Sequence, residues 1–396
     1  MKKIFPIILF SASILFVDAQ PVTKSMKRLP DTGQNTSYTN TFGEDSDFNI
    51  YAPYYNINGN GTVTDTITGL MWQKTDGGEM TIENAAIYCN TLTLGGYSDW
   101  RLPNCHELFS ILNHDRVNPS EDTIYFTKTL AEYWWSSQRQ VGDSSKVWVT
   151  NAGGGVGNHP KTETISAGGP KKFHVRAVRD ITTPTLIPNH FINNGNGTIT
   201  DQITNLTWQQ IQYADTLTWE NALTYADTLS LSGYTDWRLP NIKELQSIND
   251  ETITNPSIKS VYFGVNTAKK YWSSTSLPNQ TTRAWYLDTQ FGITTYANKT
   301  NKINLLCVRG NQINTTGINE NKISMQDVTV FPNPFNAFIN LKPLRPNAKF
   351  ELYNYLGEVI FSGLHIEQND FSNLQNGIYL LKVIDKTTSF VKLLKE

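Results

Sequence analysis

Basic and aromatic side chains gather in two stretches of the chain. Between Gln138 and His174 stand Arg139, Trp148, His159, Lys161, Lys171 and Lys172, around Gly153-Gly154-Gly155. Between Thr275 and Asn304 stand Arg283, Trp285, Tyr286, Tyr296, Lys299 and Lys302. Such a mixture suits anionic or neutral glycans. Cations donate charged hydrogen bonds to acidic and hydroxyl groups, and rings stack on sugar faces. These residues are the ligand-binding candidates; for any one of them the plainer reading is a solvated loop residue.

Little in the chain suits catalysis. It contains no His-Glu-x-x-His, no Gly-x-Ser-x-Gly and no phosphate-binding glycine loop. The six histidines do not cluster, and Cys-x-x-Cys is absent. No catalytic residue, metal or cofactor is expected, and the protein is read as a non-enzyme. Asn58-Gly59-Asn60-Gly61 with Asp65 offers oxygens to calcium but only one carboxylate, so a plain turn is the simpler account. Trp100-Arg101-Leu102-Pro103 and Trp237-Arg238-Leu239-Pro240 read as structural. Their Trp and Leu would anchor a core, Pro stops a preceding helix, and Arg donates to a carboxylate or carbonyl. Trp72, Trp208, Trp135 and Trp272 read as core in the same way.

The elements that must position these residues come from an internal repeat. Asn58 to Asp65 recurs as Asn194 to Asp201, and Leu70-Met71-Trp72-Gln73 as Leu206-Thr207-Trp208-Gln209. Tyr97 to Asn104 recurs as Tyr234 to Asn241, and Trp135-Ser136-Ser137 as Trp272-Ser273-Ser274. Arg176-Ala177-Val178-Arg179 answers Leu306-Cys307-Val308-Arg309. The period is too long for a solenoid, so the chain carries two tandem copies of one globular domain, 58–180 and 194–311. Asn-Gly turns between Thr, Val and Ile residues open each copy as a β-hairpin. Thr81 would cap a helix with Ile82, Ala85, Ala86, Cys89 and Leu92 on one face; Thr218 with Trp219, Ala222, Leu223, Ala226 and Leu229 repeats it. Asn104 with Glu107, and Asn241 with Glu244, suit a second helix start. The later half of each copy, rich in Trp, Tyr, Val, Thr and Gly, suits short strands with long loops. The class read from this is α+β.

The ends of the chain set its compartment. Lys2-Lys3, the apolar run Ile4–Val17 and the small residues around Asp18 give a signal peptide over 1–19, cleaved between Ala19 and Gln20. A polar N-terminal segment follows over 20–57. No later segment is long and apolar enough to span a bilayer. Net charge is −2, which gives no drive toward nucleic acid or anionic membrane. Three cysteines is an odd number for an oxidising compartment, so at least one thiol is free or paired with another chain. Residues 312–327 are a polar linker. Beyond it, strands at even spacing, such as Phe350–Tyr353, Val359–Phe361 and Ile378–Val383, predict a small β-sandwich over 328–396.

Two family resemblances follow from these motifs. Phe331-Pro332-Asn333-Pro334, Leu352-Tyr353-Asn354, Leu356-Gly357, the run Leu374–Tyr379 and Lys392-Leu393-Leu394-Lys395 resemble the C-terminal sorting domain of type IX secretion cargo, an immunoglobulin-like module. That resemblance implies the type IX secretion machinery as a partner, removal of this domain, and a mature protein either secreted or attached to the outer-membrane surface. Gly61-Thr62 with Thr64-Asp65, Gly69 to Gln73, Asp99 to Asn104 with Glu107-Leu108, and Trp135-Ser136-Ser137 resemble the Lcl C-terminal domain, and the second copy carries the same pattern with small departures. Leu29 to Gln34 and Phe42 to Asp45 look like segments found upstream of such domains. Leu29 to Gly33 also matches the sortase pattern, but without the apolar helix and basic tail that sortase needs it is read as a chance match. The Trp-Arg-Leu-Pro and Trp-Ser-Ser elements are similar to those of C-type-lectin-like folds. The family resemblance implies an adhesin-like role with glycan or extracellular-matrix ligands. It also implies a cysteine pair within one copy; here Cys89 belongs to the first copy and Cys307 to the second. A bridge between the copies, a Cys89–Cys105 bridge and three buried free thiols all stay open. The alternatives to a binding role are a structural or assembly component of the cell surface and a divergent enzyme.

Overall fold

The computed structural model describes residues 22–48, 50–127, 131–161, 164–165, 169–170, 173–310, 329–342, 348–354, 358–384 and 388–395. The signal peptide with its Ala19–Gln20 cleavage point, the linker 312–327, and Lys171 and Lys172 lie outside them. The chain divides into two units, one up to residue 313 and one from residue 314. It is β-rich with short helices, and no helix among the described residues is long and apolar enough to cross a membrane.

Each copy opens with a four-stranded antiparallel sheet. In the first it runs Val178–Asp180, Leu70–Gln73, Thr62–Asp65, Tyr55–Ile57; in the second it is built from Phe191–Asn193, Thr198–Asp201, Thr207–Gln209 and Val308–Arg309. The copies begin about three residues before the expected 58 and 194, because the Asn-Gly turn needs an arm on each side; Tyr55 and Phe191 bury that arm. Gly59 and Gly61 take positive φ in the turn, as such a hairpin requires. Asp65 Oδ1 accepts from the amides of Ile67 and Thr68 and closes the next turn. The last strand sets Val178 opposite Trp72 and Val308 opposite Trp208, with both rings fully buried.

Helix α1 (Ile82–Thr91) starts on Thr81, whose hydroxyl accepts from Asn84 N–H. Helix α2 (Cys105–Ser110) starts with a reciprocal cap: Asn104 accepts from Glu107 N–H, and Glu107 accepts from Asn104 N–H. The second copy repeats these as α3 (Trp219–Thr228) and α4 (Ile242–Ser247), and adds α5 (Ser260–Phe263). Both Trp-Arg-Leu-Pro arginines hold the capping carboxylate bidentately, Arg101 to Glu107 at 2.7 Å and Arg238 to Glu244 at 2.6 Å. Such fork-to-carboxylate pairs fix both partners in orientation. The Trp-Ser-Ser elements then tie the later sheet to the same corner, Ser137 N–H to Pro103 O and Ser274 N–H to Pro240 O, both 2.8 Å.

The later sheets contain Tyr133–Arg139, Lys146–Asn151 and Val156–Pro160 in the first copy, and Lys270–Ser276, Arg283–Asp288 and Ile293–Asn298 in the second. Their inner faces and the helices α2 and α4 meet between the copies. Cys105, Phe109, Leu112, Trp148 and Val156 from the first pack with Ile242, Leu277 and Trp285 from the second. Burial of this kind contributes on the order of 2–3 kcal/mol for each large side chain, so the two copies form one body.

The N-terminal segment, read from sequence as a polar stretch, is threaded into that body. Val22–Lys24 pairs with Thr185–Ile187 of the connection between the copies. Asp31, Thr32, Gln34, Glu44 and Asp45 are all buried. Lys243 of α4 donates to Asp31 O and Ser110 O, each at 2.7 Å, and so ties the segment and both copies together. On the flank of the second copy this segment covers Leu223; its counterpart on α1, Ala86, is exposed rather than on the buried face expected for it.

In the C-terminal unit, Val359–Gly363, Lys349–Tyr353, Gly377–Ile384 and Thr388–Lys395 form an antiparallel sheet in that order, and Thr329–Phe331 pairs with Asn340–Lys342. Strand alternation sends Tyr379, Leu381 and Val383 inward onto Phe335, Ile339, Leu352 and Leu393, while Ile378 and Leu380 face out.

The three cysteines are free and buried, each in a different cluster: Cys89 inside the first copy, Cys307 inside the second, Cys105 between them. Neither bridge considered from sequence is present. Burial raises the Cys89 thiol to about 12 and pushes Cys105 and Cys307 far up as well. Because only the thiolate reacts, the native protein should resist iodoacetamide and take up three labels on unfolding in urea, counted by mass spectrometry. Rapid native labelling would contradict the placement.

Candidate functional site

Among the described residues the glycan-binding candidates do not converge. Trp148 and Trp285 are buried between the copies, Trp285 at 3% exposure, and Tyr286 is buried in the core of the second copy. These three are corrected from surface residues to packing residues: aromatic strand positions facing inward looked, from sequence, like loop positions. Lys299 is also buried, its ammonium 3.8 Å from the centre of the Trp219 ring, and desolvation lowers its pKa. His159 packs on Tyr133 and Phe173, and Lys161 lies 3.6 Å from Glu83. Arg283 sits over Tyr296, which is 39% exposed, and Lys302 and Arg139 are exposed elsewhere.

What the fold does assemble is a cleft of about 230 Å³ at the junction of the N-terminal segment, α2 and α4. Its apolar lining comes from Met26, Leu29, Phe109 and Ile203, and its polar lining from Lys24, His106, His190, Thr204, Lys243, Gln246, Ser247, Asn249, Asp250, Glu251 and Lys259. Most of the charges are matched. His106 Nε2 lies 2.6 Å from Glu251, Lys259 lies 3.4 Å from Asp250, and His190 lies 3.2 Å from Asp201. Burial pulls Lys243 down to about 8 even though Asp31, Asp65 and Asp45 favour its charge.

Gln246 stands out in this lining. It is 1% exposed, and neither its amide nitrogen nor its carbonyl oxygen has a hydrogen-bond partner; Asn249 Oδ1 has none either. An unmatched buried amide costs on the order of 1–3 kcal/mol, so a polar ligand reaching these groups gains that back. Sequence reasoning missed Gln246. The signal was available: its counterpart in the first copy is Phe109, so a polar residue has replaced an apolar one at one position of the repeat.

Burial opposes charge on His106, but the Glu251 carboxylate, helped by Asp250 and Glu107, outweighs it and raises the pKa. A histidine raised in the native state stabilises fully below its unfolded value, about 6.5, and loses that contribution as pH rises through the native value. The stability difference between the wild type and H106Q in urea titrations should therefore shrink from pH 6 to pH 8.5. A difference that stays constant would contradict the pairing.

The family model of the Lcl C-terminal domain matches residues 61–179 and again 197–309. The chain belongs to the Lcl C-terminal domain family. In this Lcl pair the matched stretches carry the four longer helices, the later sheets and the opening sheets apart from their first strands, Tyr55–Ile57 and Phe191–Asn193. The secretion system C-terminal sorting domain matches residues 329–395, which marks the Lcl pair for export by type IX secretion. No curated protein matches the chain. Among solved structures it is similar to PorZ, described as an essential bacterial surface component of the type IX secretion system of Porphyromonas gingivalis. Identity is 12% over 63% of this chain and 29% of that one, with a TM-score of 0.17. The chain thus spans less than a third of PorZ, and a likeness at that score carries no argument.

Proposed function

We propose that the protein is a non-catalytic binding protein of the cell surface that holds an uncharged saccharide unit in the junction cleft. Each Lcl copy is taken as C-type-lectin-like and the sorting domain as immunoglobulin-like. The observation that carries the reading is the unmatched carboxamide of Gln246, set in a cleft whose apolar floor and paired charges suit a polyhydroxylated, neutral ligand. Small-molecule sites have this make-up, an apolar lining with a few placed polar groups. Paired charges favour the neutral over the anionic of the two glycan classes that the basic and aromatic loops suit. The buried array Asp76, His174, Arg176 and Glu121 in the first copy pairs its charges internally and does not line the cleft.

The test is a glycan array with the mature chain and its Q246L variant. The reading expects neutral-sugar hits that weaken about tenfold or more in Q246L, the loss of one or two hydrogen bonds in a dry site. A blank array, or hits indifferent to Q246L, would overturn it, and self-association of a protein with a blank array would favour an assembly role instead.

A further inference from the structure

The two copies present the same flank, and among the described residues only one of them is filled. On the second copy, residues 34–48 lie along α3 and the end of the strand Lys270–Ser276. Thr39 Oγ1 donates to Glu220 at 2.8 Å, and Gly43 packs over Leu223. Thr275 Oγ1 donates to Asp45 at 2.6 Å, Ser276 Oγ donates to Glu44, and the Phe48 ring lies 5.4 Å from the Arg238 guanidinium.

The matching flank of the first copy is an open groove of about 340 Å³ lined by Glu83, Ala86, Arg101, Leu102, Ser137 and Arg139, among others. With the repeat offset, Glu83 stands for Glu220, Ala86 for Leu223, Arg101 for Arg238 and Arg139 for Ser276. The hydroxyl acceptor at Glu83 and the guanidinium at Arg101 are thus both kept, and Arg101 keeps 32% side-chain exposure despite its pairs with Glu107 and Asp180. Three changes set what would fit. Gln138 stands where Thr275 meets Asp45, and its Oε1 accepts from Cys105 N–H as Thr275 Oγ1 accepts from Ile242 N–H. Arg139, exposed, puts a cation where Ser276 meets Glu44. Ala86 widens the floor where Leu223 packs against Gly43.

We infer that this groove docks an extended acidic peptide segment of a partner protein, bound in the manner of residues 34–48 on the second copy. The spacing of that internal ligand defines the recognition: a hydroxyl at the Thr39 place, carboxylates at the Glu44 and Asp45 places, and a ring at the Phe48 place. Arg139 turns the neutral hydroxyl contact of the second copy into a charge-assisted one, roughly twice as strong, which supplies an affinity that an untethered peptide needs. The inference does not depend on the junction cleft.

The experiment titrates a fluorescent synthetic peptide of residues 34–48 into the mature full-length chain. Saturable binding at the first copy is expected, weakened at least about tenfold by R139E, by the bulky A86W, and by replacing the peptide's Glu44 and Asp45 with amides. Arg139 and Ala86 are exposed, and circular dichroism confirms that each variant is folded. Absence of binding would overturn the proposal. So would binding unchanged in R139E and A86W, which would mean that the peptide exchanges with its own segment on the second copy.

Discussion

Replacing Arg176 with leucine is expected to lower the stability of the N-terminal unit by about 3–5 kcal/mol. Arg176 is 0% exposed, bonded to Glu121 at 3.0 and 3.2 Å and to the carbonyls of Gln73 and Lys74 at 2.9 and 2.7 Å. Its removal leaves a buried carboxylate with no cation on it. The second copy already contains the alternative: Leu306 stands for Arg176 and Ile258 for Glu121, both fully buried. The double change R176L/E121I should therefore recover most of the loss, short by about 1 kcal/mol for each carbonyl that loses its donor. Urea denaturation of the two single variants and the double variant reads the coupling directly. Burial already raises the Glu121 pKa against the pull of Arg176, so in R176L the carboxyl takes up a proton more readily and the penalty falls toward pH 5. Additive losses in the double variant would show that the pair is not what holds that core.

The second large effect belongs to Trp285. Truncation to alanine should cost about 3–5 kcal/mol, as for other buried aromatic residues. The ring sits edge-on to His114 at 5.5 Å and packs near Gly154 and Gly155 of the other copy. Burial and Lys243 hold His114 neutral, its pKa lowered to about 3, so Nε2 carries the proton that it donates to Gly154 O at 3.0 Å. Loss of the tryptophan opens this contact between the copies. W285A should then unfold in two calorimetric transitions where the wild-type unit shows one, while Y296A, at an exposed neighbouring ring, should stay within about 0.5 kcal/mol of wild type. If Trp285 instead touched a ligand from the surface, W285A would lose binding and keep its stability.

Much of the architecture was legible because it is local. The Asn-Gly hairpins, the Asn104–Glu107 and Asn241–Glu244 caps and the alternating strands of the sorting domain are each written within a few residues. Within the two copies the repeat made each such reading twice. What was not legible rests on contacts far apart in the chain. Gln34 pairs with Ser276 across 242 positions, and nothing in a polar stretch announces that it will be buried. Trp148 and Trp285 looked like ring platforms because they stand among glycines and charges, but inward-facing strand positions of two copies meet there. Ala86 and Leu223 show the same limit: equivalent positions on equivalent helices differ in burial because the N-terminal segment covers only one of them. The candidate site follows this pattern, since its lining comes from the N-terminal segment and both copies at once.

Hydrogen exchange on the mature chain, with and without the best array saccharide, separates the junction from the loops most directly. The account predicts added protection in peptides covering 22–29 and 242–251, with the later sheets at 139–161 and 283–302 unchanged. Protection confined to those sheets, with the junction peptides unaltered, would contradict it.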